Sequence, residues 1–223
     1  MPRMPRFVLA GVPHHVTQRG NRREQVFFGD GDRTSYLRWL CDYASRHDVD
    51  LLAYCLMPNH VHLVVVPATP DALHRVLKPL HMRHAQHVNR ARDCKGHLWQ
   101  GRFFSSALDE SYLWAAIRYV ERNPVRAKLC NRAEDYAWSS AAAHCGLRRD
   151  SALCDKPSWR RQRAAIGDWS HWLSLDDEPA HLETLRAHAD RGCPCGSREF
   201  VEAWQTATGR TLKSRGRHAG GKG

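Results

Sequence analysis

The sequence predicts an α+β sandwich, in which helices pack on a small and largely antiparallel sheet. Short segments with the length and apolar content of strands are interspersed with segments whose apolar residues recur at helical spacing. The two kinds of segment follow one another in the order strand, helix, hairpin, helix, strand, helix. With 223 residues, of which 42% are hydrophobic and 26% charged, the chain has the size and composition of one globular domain with an appendage.

The first half of this pattern is a strand, a helix and a hairpin. A strand over residues 13–19 ends at a Gly-Asn dipeptide, which is typical of a turn. A helix over 32–46 follows, because its apolar residues lie on one helical face. Strands over 50–56 and 60–66 are separated only by Met-Pro-Asn, and this short link favours an antiparallel hairpin.

The second half is a helix, a strand and a helix. A helix over 73–92 carries a basic, histidine-rich face and a proline, Pro79, at which we expect a kink. A loop and a strand follow over 96–108. The last helix runs from 109 to 122 and ends at Asn123-Pro124, because a residue before proline disfavours the helical conformation.

After about residue 150 the composition changes. Residues 151–178 have no firm period, and two short helices are predicted over 179–191 and 197–208. From Gly209 the chain is rich in glycine and basic residues and has no acidic residue, so we expect this tail to be disordered until it meets a polyanion. The sequence is therefore divided into a domain over 1–150 and an extension over 151–223.

The charge of the chain indicates its partner. Its 34 Lys and Arg against 23 Asp and Glu give a formal charge of +11, and arginine, whose planar guanidinium suits phosphate oxygens, predominates. These features favour a nucleic-acid partner, with a merely soluble basic protein as the alternative. No apolar stretch has the roughly 18 residues of a membrane span and no signal-peptide pattern is present, so we expect a cytoplasmic protein without a membrane partner. The eight cysteines are expected to be reduced thiols.

Two histidines on one predicted strand form the first candidate site. His60 and His62 point to the same face, because residues two apart in a strand do so. They are a natural ligand pair for one divalent ion, although two histidines held by hydrogen bonds are the alternative. Val61 and Leu63 then face the core. The next position on the histidine face is Val64, which argues against the histidine triad nucleotide hydrolases.

A tyrosine and an amide at the C-terminal end of the helix predicted from residue 109 complete this candidate site. Tyr119 and Asn123 are four residues apart and therefore share one helical face. A tyrosine hydroxyl can attack a phosphodiester, and an amide oxygen one turn away can join a metal shell. Imidazole with hard oxygen ligands suits Mg²⁺ or Mn²⁺. Tyr112, two turns earlier, is a second candidate nucleophile for which core packing is the preferred interpretation.

Four segments, taken together, resemble the REP-associated tyrosine transposases, which belong to the single-tyrosine branch of the HUH endonucleases. They are PNHVHLVV at 58–65, GHLWQGRF at 96–103, AAIRYVERNPVRAKL at 115–129 and YAWSS at 136–140. The segment GSREFVEAWQTATGR at 196–210 is similar to the C-terminal region of that family. The resemblance implies a ferredoxin-like HUH sandwich as the catalytic domain, residues 1–150, whose central antiparallel sheet carries the histidines. The helical extension, residues 151–223, would grip DNA or cover the site.

The resemblance also implies an activity. The protein would be a metal-dependent endonuclease and strand transferase that acts on single-stranded DNA folded into imperfect palindromic hairpins. His60, His62 and Asn123 would bind Mg²⁺ or Mn²⁺, and Tyr119 would form a 5′-phosphotyrosine intermediate. The alternatives are a hairpin-binding protein that has lost cleavage, or an HUH replication or mobilisation initiator. A monomer is favoured over a homodimer, and the expected location is the nucleoid.

Other residues are assigned to DNA contacts or to packing. The loop at 19–23 is rich in planar donors that suit phosphates. The segment at 99–103 mixes basic groups with aromatic rings that suit bases, although Trp99 and Phe103 equally suit the core. His14 and His15 are expected to be structural, with a position facing the site as the alternative for His15, and Tyr36 and Tyr43 are expected to pack in the core. The spacing of His81, His84 and His87, without an acidic partner, predicts a solvated or DNA-facing surface. The predicted DNA-binding residues are Arg19, Asn21, Arg22, Arg23, Trp99, Gln100 and Arg102.

Overall fold

A four-stranded antiparallel sheet lies at the centre of the computed structural model, which describes residues 7–189 and 191–212. Its strands are β1 (His14–Arg19), β2 (Val49–Met57), β3 (His60–Pro67) and β4 (Phe104–Ala107). They are arranged in the order β2-β3-β1-β4, with every neighbouring pair antiparallel. This is the order of the βαββαβ ferredoxin-like sandwich, so the predicted fold class is confirmed.

Two long helices cover one face of the sheet. Helix α1 (Asp30–Arg46) connects β1 to β2, and α2 (Ala72–Ala91) connects β3 to β4 and continues through Pro79. Val61 and Leu63 of β3 are fully buried in the core that these helices form with the sheet. The strand alternation predicted for β3 is therefore confirmed, and its histidines lie on the opposite face.

Helix α3 (Glu110–Glu121) and the extension cover that opposite face. Leu52 of β2, Ile117 of α3 and Trp159 of the extension share its core. Thus the sheet face that α1 and α2 leave uncovered is closed by α3 and by the extension. The remaining helices in the described ranges are α4 (Asn123–Arg126), α5 (Ala141–His144), α6 (Pro157–Ala164), α7 (Trp169–Ser174), α8 (Pro179–Ala189) and α9 (Arg198–Thr208).

The extension is tied to the sheet by backbone hydrogen bonds. The amide of Cys195 donates to the carbonyl of Ala107 at 2.8 Å, and the amide of Asp109 donates to the carbonyl of Cys195 at 3.1 Å. These bonds join the extension to the end of β4. The two predicted helices correspond to α8 and α9, whereas the basic tail predicted from Gly209 lies, from residue 213 onward, outside the described residues. The division at residue 150 stays a prediction.

The histidine stripe of α2 is a packing surface, so the prediction of a solvated or DNA-facing surface is wrong for its first two members. His81 Nε2 lies 3.0 Å from the hydroxyl of Tyr36, and His84 Nε2 donates to the carbonyl of Val26 at 2.8 Å. Both imidazoles are buried, and Tyr36 is a core residue as predicted. His87 has an acidic partner after all, since its Nε2 lies 3.2 Å from Asp32 of α1.

None of the helices in the described part of the chain has the length and apolar character needed to cross a membrane. All eight cysteines are free thiols, as predicted.

Candidate active site

A cleft of about 670 Å³ opens where the ends of β1 and β3 meet α3 and the extension. Its floor is the sheet face that carries the two histidines, and its far wall is the segment around α8. The described residues that line it in the first 150 positions are Phe7, Thr17, Gln18, Arg19, Arg23, His60, His62, Gln100, Gly101, Arg102, Phe103, Phe104, Ser105 and Tyr119, and those from the extension are Arg186, Ala189, Arg191, Gly192 and Arg210.

The two histidines of β3 lie side by side in this cleft, with their ring centroids 4.8 Å apart. Both are neutral at pH 7. Burial, and to a smaller extent the nearby Arg19, lowers the pKa of His60 to about 4. Burial also lowers the pKa of His62 well below its ordinary value, assisted by the charges of His60 and His15. A neutral imidazole is the form of histidine that binds a metal ion.

His15 of β1 is a member of the site, which is the alternative to the structural role that the sequence favours for it. Its Nε2 lies 2.9 Å from Nδ1 of His62, and the two rings stack with centroids 5.1 Å apart. The antiparallel register explains the contact. Thr17 is opposite His62, and His15 is two residues from Thr17 on the same strand face. Burial lowers the pKa of His15 to about 4.

Tyr119 of α3 lies beside the rings of His15 and His62. Its ring centroid is 5.6 Å from that of His62 and 5.8 Å from that of His15, in edge-to-face geometry in both cases. The guanidinium of Arg126 covers the tyrosine ring at 4.3 Å and also donates to the Tyr119 carbonyl. Burial, more than the nearby charges, lowers the pKa of Arg126. The structure therefore brings the predicted tyrosine and the predicted histidines together.

The structure does not bring every candidate into the cleft. Helix α3 ends at Glu121, and Asn123 is the first residue of α4, so one continuous helix does not carry Tyr119 and Asn123. Among the described residues that line the cleft, Asn123 is absent. Tyr112 packs against His181 with ring centroids 4.7 Å apart, which agrees with the core role preferred for it.

The histidine pair fits a divalent cation. The Nε2 atom of His62 is buried and has no hydrogen-bond partner among the described residues, although a buried polar atom normally has one. No group of three or more His, Cys, Asp or Glu side chains in those residues has metal-binding geometry. A cation held here would therefore be bound by two imidazole nitrogens, one from each histidine. Its remaining ligands would be oxygens from an amide, water or the substrate.

Sequence comparison identifies the family. The family model described as "Transposase IS200 like" matches residues 10–123, which is more than half of the 223-residue chain. The chain belongs to the IS200-like transposases. This membership makes it a transposase-type, DNA-processing enzyme. Comparison with curated protein sequences gives no match.

A solved structure agrees with this fold. The chain is similar to a REP-associated tyrosine transposase whose structure is bound to a REP hairpin, with a TM-score of 0.51 and 18% identity over 70% of this chain and 99% of that one. It is also similar to a crystal structure of a transposase from Deinococcus radiodurans R1, at 22% identity and a TM-score of 0.37 over 57% of this chain and 92% of that one. The similarity to the REP-associated tyrosine transposase shows that this chain has the HUH-type fold.

The loop at 19–23 carries an arginine pair in a strained backbone conformation. Arg22 and Arg23 have φ angles of 52° and 63°, in the left-handed region that non-glycine residues rarely adopt. The surrounding contacts hold the loop in place, since the amide of Asn21 donates to Leu98 and the side chain of Asn59 donates to the Arg23 carbonyl. Such strain tends to be kept where it serves function. Arg23 lines the cleft of the transposase, whereas Arg22 and Asn21 do not.

Trp99 does not present its ring for stacking, so this part of the DNA-binding prediction is corrected. Its side chain is 8% exposed, and its indole N–H donates to the carbonyl of His81 at 2.9 Å. An indole that is anchored to α2 in this way belongs to the core, and Phe103, 5% exposed, does too. Gln100 and Arg102 of the same segment are exposed and line the cleft.

Half of the arginines that line the cleft come from the extension, and of these only Arg210 lies in a segment that resembles the family. Six arginines line the cleft, and among the described lining residues there is no carboxylate. Arg19, Arg23 and Arg102 come from the first 150 residues, whereas the other three come from the extension. These three lie far along the chain from the histidines, so only the tertiary structure shows that they share the site. They are Arg186, Arg191 and Arg210.

Contacts with the extension also fix the tyrosine helix. Asp177 lies 3.2–3.4 Å from Arg118, Arg122 and Arg126, which surround the C-terminal end of α3. Behind the helix, the buried carboxylate of Glu121 accepts hydrogen bonds from Ser140, from His144 at 2.6 Å and from the indole of Trp169 at 2.8 Å. The helix that carries Tyr119 is thus tied to the extension on two sides.

Proposed function

We propose that this transposase cleaves and rejoins single-stranded DNA through a covalent bond to Tyr119. The observation that carries the proposal is the juxtaposition in one cleft of Tyr119 with a neutral histidine pair. The ring of Tyr119 is 5.6 Å from that of His62, and His62 Nε2 has no partner among the described residues. Six arginines surround this pair, and the cleft therefore suits a polyanionic strand.

In the proposed step the hydroxyl oxygen of Tyr119 attacks the scissile phosphorus. A bond forms between the phenol oxygen and phosphorus, and the bond from phosphorus to the 3′-oxygen breaks. The phenol loses one proton and the departing 3′-oxygen gains one, so the products are a 5′-phosphotyrosine and a free 3′-hydroxyl. The phosphodiester energy is kept in the covalent intermediate, and a second 3′-hydroxyl can therefore reverse the step and rejoin the strands.

His60 and His62 would hold Mg²⁺ or Mn²⁺ through their Nε2 atoms, with Asn123 as the proposed amide ligand after a rearrangement that brings it into the cleft. When bound, the cation supplies Lewis-acid stabilisation of the charge that develops on the phosphate. The arginines at the rim hold flanking phosphates and place the scissile bond in front of Tyr119, which lowers the entropic cost of the attack.

The proposed substrate is a palindromic hairpin of the REP type with a single-stranded flank. Two observations support it: the segments that resemble the REP-associated branch, and the similarity to a solved member of that branch bound to a REP hairpin. We assign phosphate contacts to Arg19, Arg23 and Arg102, with Gln100 and the strained loop at Arg22 and Asn21 available to the flank and the stem.

We further propose a monomer as the active form. Tyr119 and the histidine pair approach each other within a single chain, so the site needs no residue from a second copy. In this arrangement residues 1–150 supply the nucleophile and the proposed cation ligands. The extension supplies the second cationic wall of the cleft.

A gel assay with labelled DNA tests the proposal. Hairpin oligonucleotides from the DNA that flanks the gene are incubated with the protein and Mg²⁺ or Mn²⁺, and the products are separated under denaturing conditions. We expect cation-dependent cleavage and a covalent adduct at the 5′ end that the cleavage creates. Tyr119→Phe and His62→Ala should abolish both, whereas Tyr112→Phe, a matched removal of one hydroxyl on the same helix, should not.

Each contrary result is specific. Cleavage that survives in Tyr119→Phe would move the nucleophile to another residue. Hairpin binding without cleavage under either cation would favour a binding protein that has lost its nicking activity.

A further inference from the structure

Two side chains outside the proposed ligand pair are hydrogen-bonded to its members. His15 Nε2 lies 2.9 Å from Nδ1 of His62, and Asn59 Oδ1 lies 2.6 Å from Nδ1 of His60. In both contacts Nδ1 is the nitrogen that is engaged. Nε2 is therefore the nitrogen that each proposed ligand has available for the cleft.

The tautomer of His60 follows from the orientation of the Asn59 amide. The Nδ2 group of Asn59 donates to the carbonyl of Arg23 at 2.9 Å, and a carbonyl can only accept, so this contact fixes which end of the amide is nitrogen. The Oδ1 atom then faces His60 and must accept from it. His60 accordingly carries its proton on Nδ1, and its Nε2 has a free lone pair.

The pair formed by His15 and His62 shares one proton between two neutral rings. Neither His15 Nδ1 nor His62 Nε2 has a hydrogen-bond partner among the described residues, so either direction of this bond leaves one N–H unpaired. If His15 donates, the proton of His62 sits on Nε2, where it repels a cation. If His62 donates, its Nε2 has a lone pair directed at the proposed cation. A metal-binding histidine almost always donates its other N–H to a fixed acceptor, and His15 Nε2 is the atom placed to be that acceptor.

We infer that His15 and Asn59 are positioning residues that hold His62 and His60 in the Nδ1–H tautomer and so present both Nε2 atoms to one divalent cation. The inference rests on the proposed function, which supplies the cation. It also explains why His15 is buried on the same sheet face as the ligand pair, with a ring stacked on that of His62. Neither residue touches the reacting atoms.

Variants that keep or remove the acceptor separate this role from packing. His15→Gln keeps an acceptor at the reach of Nε2, whereas His15→Leu fills the space without one. Asn59→Asp keeps the oxygen that faces His60, whereas Asn59→Leu removes it. His14→Gln is the matched control, because His14 is equally buried and its Nδ1 and Nε2 contact only the backbone of Val12 and Leu9.

Binding of Mn²⁺ to the DNA-free protein, measured by titration calorimetry, is the first readout. We expect His15→Leu and Asn59→Leu to bind Mn²⁺ about 10–100-fold more weakly than the wild type, since loss of an outer-shell partner typically has this effect. His15→Gln, Asn59→Asp and His14→Gln should stay close to the wild-type affinity. Wild-type affinity in both leucine variants would overturn the inference, as would an equal loss in His15→Gln and His15→Leu.

Nitrogen NMR of the imidazole rings is the second readout and needs no activity. In the protein loaded with Mg²⁺ we expect His60 and His62 to show a protonated Nδ1 and an unprotonated Nε2. A protonated Nε2 on His62 would overturn the inference even if the cation binds. If the wild type binds no Mn²⁺ and His62→Ala changes nothing, the cation part of the proposed function fails. That outcome is distinct from the one in which the wild type binds Mn²⁺ and the variants of His15 and Asn59 bind it equally well.

Discussion

The arginines of the extension give a quantitative prediction about salt. Arg186, Arg191 and Arg210 form the far wall of the cleft, opposite the arginines of the first 150 residues. If each neutralises one phosphate of a single strand, each contributes about 0.7 to the slope of log affinity against log salt. Replacing all three with glutamine should therefore lower that slope by about 2 in magnitude.

This change of slope is large enough to measure directly. Between about 50 and about 200 mM salt, the wild-type cleft should lose roughly 20-fold more affinity than the triple variant loses. Fluorescence anisotropy with a labelled hairpin and its single-stranded flank provides the affinities. The measurement is made in a Tyr119→Phe background, so that cleavage does not consume the probe.

A matched triple variant controls for net charge. Arg38, Arg46 and Arg161 are exposed and do not line the cleft. Replacing them with glutamine removes the same three charges from the rest of the surface, and the slope should change by much less than 1. Equal slopes in the two triple variants would refute the claim that the extension contacts DNA, because long-range charge alone would then explain the binding.

Three further predictions concern stability. Glu121→Ala should lower the free energy of unfolding by about 3 kcal/mol in urea denaturation, because it leaves the buried donors of His144 and Trp169 without their acceptor, whereas the Ser140 hydroxyl keeps its bond to the Tyr54 carbonyl. A loss below about 1 kcal/mol would contradict this. Gly20→Ala should cost about 1–3 kcal/mol, because its Cβ would lie 2.2 Å from the Glu24 carbonyl oxygen, and a melting temperature equal to that of Gly31→Ala, whose Cβ meets nothing within 4 Å, would count against it. Burial lowers the pKa of His14 and of His84 from 6.5 to about 4. Between pH 6.5 and about 4, these two histidines therefore bind protons in the unfolded chain but stay neutral in the folded one. The free energy of unfolding should fall over this pH range by up to about 3 kcal/mol for each histidine. Urea titrations across this pH range that show constant or rising stability would exclude the effect.

The sheet and the histidine pair could be predicted because their signals are local. A two-residue period fixes which side of β3 faces the core, and so His60 and His62 are placed together whatever the rest of the chain does. Tyr119 is a candidate nucleophile because it shares a predicted helical face with Asn123, and the resemblance to a known family implies the same role. The strand order confirms the fold that this resemblance implied.

Residues whose role depends on a distant partner could not be predicted in this way. A spacing of three on α2 is the same for a surface stripe and for a packed one, and only the contacts with Tyr36 and Val26 show that His81 and His84 are inside. His15 enters the site through the register between β1 and β3, which no local pattern specifies.

The extension is the clearest case of this limit. Two of its cleft arginines, Arg186 and Arg191, lie in no motif, and residues 151–178 have no period from which an element could be placed. Their position follows from packing instead, because Trp159, Trp169 and Leu185 are buried in the core that the extension shares with α3 and the second face of the sheet. The second cationic wall is thus a consequence of how the core closes.

The central claim is that Tyr119 becomes covalently bonded to DNA, and mapping the adduct tests it most directly. The protein is incubated with a hairpin substrate and Mn²⁺, the DNA and protein are digested, and the modified peptide is sequenced by mass spectrometry. We expect a single nucleotide-bearing tyrosine, Tyr119, joined through its hydroxyl to a 5′-phosphate, and no such peptide from His62→Ala. A modified Tyr112, or cleaved DNA with no modified tyrosine at all, would contradict the claim.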